Sequence, residues 1–244
     1  TSTLVYLSLL SITCFLVAIN IKTIDVSPSY DSKVKAATLM KNAMDELKYQ
    51  RMEKSVFIDI ENDPNETGLV GEPYSLITTD EGDLDAKLTT LDPNFAAVVI
   101  DLMYQLGLKK NDTVAVLMTG SMPGANIAVL TACKALGLNP VTISSIGASQ
   151  WGANQIDFTW LDMERILFEK ELILSTSIAA SIGGRNDMGR LLSVKGRNII
   201  LDNIKKHNIP LIKKDRLSDN IEERMNYLNK YSSIDSYDAI INVG

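Results

Sequence analysis

One joint constrains this chain more than any other stretch. The apolar, β-prone run Val114-Ala115-Val116-Leu117-Met118 ends in Thr119-Gly120-Ser121-Met122-Pro123-Gly124, and helical spacing starts at once over 125–136. A strand that passes through a tight glycine turn directly into a helix is the unit from which parallel α/β sheets are assembled. Such a turn leaves helix N–H groups open beyond the carboxyl end of the strand, where open α/β sheets hold anions and reacting groups.

The same alternation continues on both sides. Asp92-Pro93 reads as an N-cap with proline in the first turn of a helix that runs to Leu106 and stops at Gly107. Further strands are predicted at 141–145, 177–182, 209–213 and 239–243, with helices at 160–170, 194–207 and 217–231 between them. The fold class expected is α/β: an open, mostly parallel, Rossmann-like sheet with helices on both faces.

Ahead of this lies a different kind of sequence. Leu4–Ile21 is an apolar run of 18 residues whose only adjacent charge is Lys22. As a helix it spans roughly 27 Å, close to the thickness of a bilayer core. A cleaved signal peptide is the alternative, but Ala18-Ile19-Asn20-Ile21 is a poor cleavage context. The reading adopted is a transmembrane anchor over residues 1–24, a single-pass location in the cell membrane, and a soluble domain outside the cytoplasm. Residues 25–91 are read as a linker helix followed by an irregular acidic segment that packs on the main domain. The linker helix starts at Asp31 or Ser32, carries an apolar stripe from Val34 to Leu47 and ends near Lys54. Residues 59–85 are rich in turn formers and suggest one or two short strands. The α/β domain takes 92–244. The first residue is Thr1 and the last apolar run reaches almost to Gly244, so the native protein is expected to extend further.

Charge is distributed unevenly along a chain of net charge −6. Residues 53–101 hold 12 acids against two bases, and residues 183–216 hold nine bases against three acids. The basic segment is either a solvated face or a surface that meets an anionic ligand. Net acidity, with no interleaving of aromatic and basic residues, argues against nucleic acid as a partner. Two cysteines, Cys14 in the apolar run and Cys133 in a helical segment, give no disulfide framework. The single histidine, His207, falls at a helix C-terminus, where it complements the dipole.

Candidate site residues follow from the loops after successive strands. Gly120, Ser121, Gly124 and Asn126 form a ligand cradle, or an elbow with Ser121 as nucleophile, or a turn in which Ser121 merely caps the helix. The sequence is neither G-x-S-x-G nor a P-loop, and no cofactor is expected. The loop 144–154 offers Ser149 and Asn154 for hydrogen bonding and Trp151 for stacking, or is a loop that Trp151 packs down. The loop 181–190 offers Arg185 and Arg190 as a bidentate clamp for a carboxylate or phosphate, or is a solvated loop whose arginines pair with surface acids. Asp162 and Glu164 lie two residues apart and point about 200° apart on a helix, so they do not form an acid pair. Thr159-x-x-Asp162 has capping-box spacing instead. Asp59-x-Glu61-x-Asp63-x-Asn65 alternates oxygens as a calcium loop does. Pro64 and Val70, however, stand where such a loop needs glycine and a bidentate glutamate, and no metal site is expected.

At these residues the chain resembles the poly-γ-glutamate system protein family, which accompanies bacterial genes for making and exporting that capsule polymer. The resemblance rests on Leu76-Ile77-Thr78-Thr79, Asp92–Ala97, Gly120-Ser121-x-Pro123-Gly124-x-Asn126, Ser144–Asn154, Phe158–Arg165 and Gly183–Arg190. It implies an accessory role in poly-γ-glutamate synthesis or export, other subunits of that system as partners, and a bacterial cell-surface location. It implies no settled reaction and no catalytic residue. Three functional expectations follow: a domain that binds an anionic small molecule or polymer, an enzyme that cuts or transfers γ-glutamyl amides with Ser121 or Asp162 taking part, or a structural partner that docks through the Val34–Leu47 helix.

Overall fold

A computed structural model describes residues 2–21, 26–53 and 58–244. The expected charge at Lys22 and the helix end near Lys54 lie outside the described residues. The chain divides into two units, Thr1–Tyr30 and Asp31–Gly244.

The first unit holds helix α1, Ser2–Asn20, none of whose residues is buried. It is long and apolar enough to cross a membrane. Two of its polar side chains are satisfied on the helix itself: Thr13 Oγ1 donates to the Leu9 carbonyl and Asn20 Nδ2 to that of Leu16. Internal satisfaction of this kind suits hydrocarbon surroundings.

The second unit is built on a five-stranded, fully parallel sheet. Its strands are β1 (Thr113–Thr119), β2 (Asn139–Ser145), β5 (Ala179–Ser181), β6 (Leu211–Ile212) and β7 (Ala239–Asn242), in the order β6-β5-β2-β1-β7. Helix α5 (Pro123–Leu136) connects β1 to β2 and ends at Gly137, whose left-handed backbone (φ +72°) turns the chain back. A small antiparallel ribbon, β3 (Asn154–Gln155) and β4 (Phe158–Thr159), precedes α6 (Trp160–Glu169). Helix α7 (Val194–Lys206) lies between β5 and β6, and α8 (Leu217–Tyr231) between β6 and β7.

Alternation along the strands explains the layers. Val114, Val116 and Met118 of β1 join the main core on one face, with α5 and two upstream helices, α2 (Tyr30–Glu53) and α4 (Phe95–Gln105). Ile146, Ala180 and Ile182 pack there against Ile200 and Ile204 of α7. On the opposite face Ala115, Val141, Ile143 and Ala179 meet Leu228 of α8. The α/β reading therefore stands, helices on both faces included.

Several local expectations change. Helix α4 starts at Phe95 with Asn94 in the cap position, because the Asp92 carboxylate folds back onto the Asn94 N–H (2.8 Å) and closes a turn. No strand forms over residues 59–85, where only an isolated bridge joins Thr78 to Ala148. A short helix, α3 (Leu84–Thr90), capped by Asp83, follows instead. In α2 the inward stripe is Ala36, Met40, Ala43, Met44, Leu47 and Arg51, while Val34 is half exposed. That stripe is already spent on the protein's own core, which removes it as a docking face.

Two polar knots hold α6 in place. The Asp162 carboxylate accepts from the Thr159 N–H (3.0 Å) and hydroxyl (2.8 Å), as its spacing predicts, and also meets Lys206 Nζ (2.7 Å) and His207 Nε2 (3.0 Å). Burial pushes this carboxyl up, yet the bonds from His207, Lys206 and Thr159 outweigh it and hold it well below the usual carboxylate range. His207 thus caps α7 and joins α7 to α6. The second knot is internal. Trp160 Nε1 donates to Ser144 Oγ (3.1 Å), which shares a hydrogen bond with Ser177 Oγ (2.7 Å). Ser177 in turn gives its hydroxyl (2.8 Å) and its N–H (3.0 Å) to the two oxygens of Glu164. Burial raises the Glu164 carboxyl to about 7, against the opposing effect of the Ser177 bonds.

Candidate functional site

In a parallel sheet whose strand order reverses beside β1, the crevice opens past the carboxyl ends of β1 and its neighbours. A cleft of about 470 Å³ lies there, a size suited to a small ligand. Thr119 at the end of β1 and Ser121 in the turn after it line the cleft, as do Ser145 at the end of β2 with Gly147 and Ser149 in the turn after it, and Gly183, Gly184 and Asp187 in the turn after β5. The three turns therefore share one mouth. Thr79 and Asp80 add a further wall, Asn242–Gly244 another, and Leu217, Ile221 and Arg224 present one face of α8.

Backbone contact shapes the turns. A Cβ on Gly120 would strike the Ile146 carbonyl, and one on Gly152 would meet the Ser121 backbone 2.9 Å away. Main-chain bonds complete the fit, from Gly120 N–H to Ser145 O (2.8 Å) and from Ala153 N–H to Gly120 O (2.7 Å).

Arg224 is the principal charge in the cleft. Its Nη2 donates to Ser181 Oγ (2.6 Å), Ser145 Oγ (3.2 Å) and Asp187 (2.7 Å), and Ser181 Oγ donates to the other Asp187 oxygen (2.6 Å). Asp187 reaches this pair from a left-handed backbone (φ +61°), a conformation unfavourable for a side-chain-bearing residue and held by the surrounding turn. All three bonds leave one nitrogen. Nε and Nη1 of Arg224 have no partner among the described residues, so their N–H groups remain as single donors for an oxyanion.

A lysine stands behind the mouth. Lys87 of α3 is buried, and its Nζ donates to Ser149 Oγ (2.9 Å) and contacts Met122 Sδ (3.3 Å). Among the described residues no carboxylate forms an ion pair with it. Burial lowers its pKa, partly offset by the charge of Asp83 at the end of the same helix. Ser149 also gives its N–H to Ser121 Oγ (2.9 Å).

Of the residues singled out from sequence, Ser121 and Ser149 line the cleft and touch. Gly120 lies just beneath, as backbone spacer. Gly124 is buried where α5 crosses Thr90, and Asn126 is buried with Nδ2 on the Thr119 carbonyl (2.8 Å). Asn154 is fully buried: its side chain holds Glu72 N–H (2.8 Å), Glu72 O (2.7 Å) and Thr78 Oγ1 (2.9 Å), fastening the 72–78 segment. Trp151 packs against the main core. Arg185 is exposed and pairs with Asp80 (3.5 Å) on the rim, and Arg190 is exposed outside the cleft. None of the nine bases of 183–216 lines the mouth. Several are taken by local partners, among them Lys206 with Asp162, Lys214 with Glu223 and Arg216 with Asp219.

Sequence reasoning missed Arg224, Asp187 and Lys87. Arg224 left a trace: Leu217, Ile221 and Arg224 recur at i, i+4 and i+7, which puts an arginine on the apolar face of α8. Lys87 showed only as one of two bases amid the acids of 53–101. No family model, curated protein or solved structure matches the chain.

Proposed function

We propose that this is a bilayer-anchored accessory protein of poly-γ-glutamate synthesis or export, with its α/β domain outside the cytoplasm and its mouth receiving a carboxylate or phosphate of a small ligand. The observation that carries the ligand class is the balance of charge. Asp80 and Asp187, the acidic side chains that line the mouth, are each paired, by Arg185 and Arg224, and Arg224 keeps two donor nitrogens open. The mouth therefore offers guanidinium N–H donors to an anion, with its own lining carboxylates already engaged. The α1 helix supports the anchor, and the pathway rests on the resemblance of the residues quoted above.

Calorimetric titration of the full chain in detergent with γ-glutamyl oligomers, and separately with phosphate-bearing metabolites, tests the reading. Binding of one class is expected, lost in Arg224→Met and kept in Arg190→Ala. Absence of binding by both classes, or loss in Arg190→Ala alone, refutes it. Protection of the domain from protease added to intact cells would refute the outward orientation.

A further inference from the structure

We propose that Ser149 is the nucleophile of an acyl-transfer site in this mouth, with Lys87 as its general base and an ester or amide whose acyl part carries a free carboxylate as the substrate class. The inference rests on the reading of the mouth as a ligand site and adds chemistry to it. A serine hydroxyl becomes nucleophilic only beside a group that can take its proton. Among the hydroxyls lining the cleft, Ser149 alone touches one, at 2.9 Å from Lys87 Nζ. Ser121 Oγ accepts from a backbone N–H, and the Ser145 hydroxyl faces a guanidinium, which is no base. His207 is bound to Asp162 and lines a different cavity.

Lys87 has the surroundings such a base needs. It is buried between α3 and the β1–α5 turn, without an ion-pairing carboxylate among the described residues, and Asp83 is the charge that acts on it. Desolvation favours its neutral amine, the form able to accept a proton. Arg224, on the α8 wall, offers its Nε and Nη1 N–H groups to the substrate's carboxylate.

The step balances without a redox partner. Neutral Lys87 takes the Ser149 proton as Oγ bonds to the acyl carbon. The bond from that carbon to the leaving nitrogen or oxygen then breaks, and the Lys87 ammonium protonates the departing group. Water completes the cycle: Lys87 accepts its proton, hydroxide displaces Ser149 Oγ from the ester, and the proton returns to Oγ.

The full chain in detergent is treated with p-nitrophenyl acetate, and the acetylated residue is mapped by mass spectrometry across a pH series. The expected result is an acetyl group on Ser149, with a rate that rises at a pH below the ordinary lysine range. Ser149→Ala abolishes that adduct, and Lys87→Arg, which keeps the charge but is no base, slows it by about 100-fold. Circular dichroism checks that both variants fold, and the wild-type pH profile decides the matter if Lys87→Arg does not. Acetylation confined to surface lysines or another serine, an unchanged rate in Lys87→Arg, or a rise only in the ordinary lysine range overturns the proposal. Anion binding that persists without acylation removes this chemistry and leaves the ligand reading standing; loss of both removes both.

Discussion

Glu164 gives the sharpest energetic test, because its environment is closed and its partners are few. The carboxyl is fully enclosed beneath α6, with Ser177 as its hydrogen-bonding partner, and burial sets its pKa near 7 against 4.5 for an unburied group. A folded-state pKa above the unfolded one means that the folded state holds the proton more tightly. Below about pH 4.5 both states are protonated and the group is neutral in the balance. As pH rises toward 7 the unfolded state loses its proton first, and stability falls. Above 7 the loss is complete, at about 3 kcal/mol for a shift of this size. Glu164→Gln removes the ionisation and keeps the bonding: the amide oxygen accepts from the Ser177 N–H, and the amide nitrogen donates to the hydroxyl, which turns toward Ser144. For a domain of this size the variant should gain about 6–12 °C in melting temperature over wild type at pH 8 and almost nothing at pH 4.5. Thermal unfolding followed by circular dichroism at both pH values measures this. Asp162 has a depressed pKa and works in the opposite sense, its stabilisation being lost as pH falls below about 3.8, but it is common to both proteins and cancels. A difference between variant and wild type that is equal at the two pH values would show that Glu164 titrates normally, and the burial argument would fail.

Other substitutions probe the mouth. Arg224→Met strands the Asp187 carboxylate and should destabilise by about 3 kcal/mol, of which Asp187→Asn in the same chain restores at least about 1 kcal/mol. Strict additivity in urea unfolding would refute the coupling. Asn154→Ala removes three side-chain hydrogen bonds to Glu72 and Thr78. It should cost about 2–4 kcal/mol and expose residues 72–82 to limited proteolysis. An unchanged cleavage pattern would return Asn154 to consideration as a ligand contact.

The fold was legible where local signals agreed. The run 113–118 closed by Gly-Ser-x-Pro-Gly, the glycine stop at 137 and the amphipathic span Leu217–Tyr231 each combine period and punctuation, and each appears at or within a residue or two of its expected place. Helix α3 was not legible. Seven residues give too few turns for a period, and its inward positions include Lys87, which composition assigns to solvent. The rim of the site could be inferred from strand ends, because parallel topology places them together. Its charges could not. Arg224 comes from α8, 79 positions beyond Ser145 in sequence, and only the packing of that helix across the sheet brings the two together. Asn154 misled in the reverse direction, since an amide in a polar loop looks the same whether it faces a ligand or binds its own chain.

The glycine contacts around the mouth carry a practical consequence for anyone wishing to change what enters it. Where main chain rests directly on main chain, there is no side chain to trim or enlarge, and added bulk displaces neighbouring turns instead of reshaping the opening. Redesign of selectivity therefore starts on the helical wall, at Leu217 and Ile221, which stand one turn apart on α8. Arg224, a turn further on, is tied to Ser145, Ser181 and Asp187 and has to stay as it is.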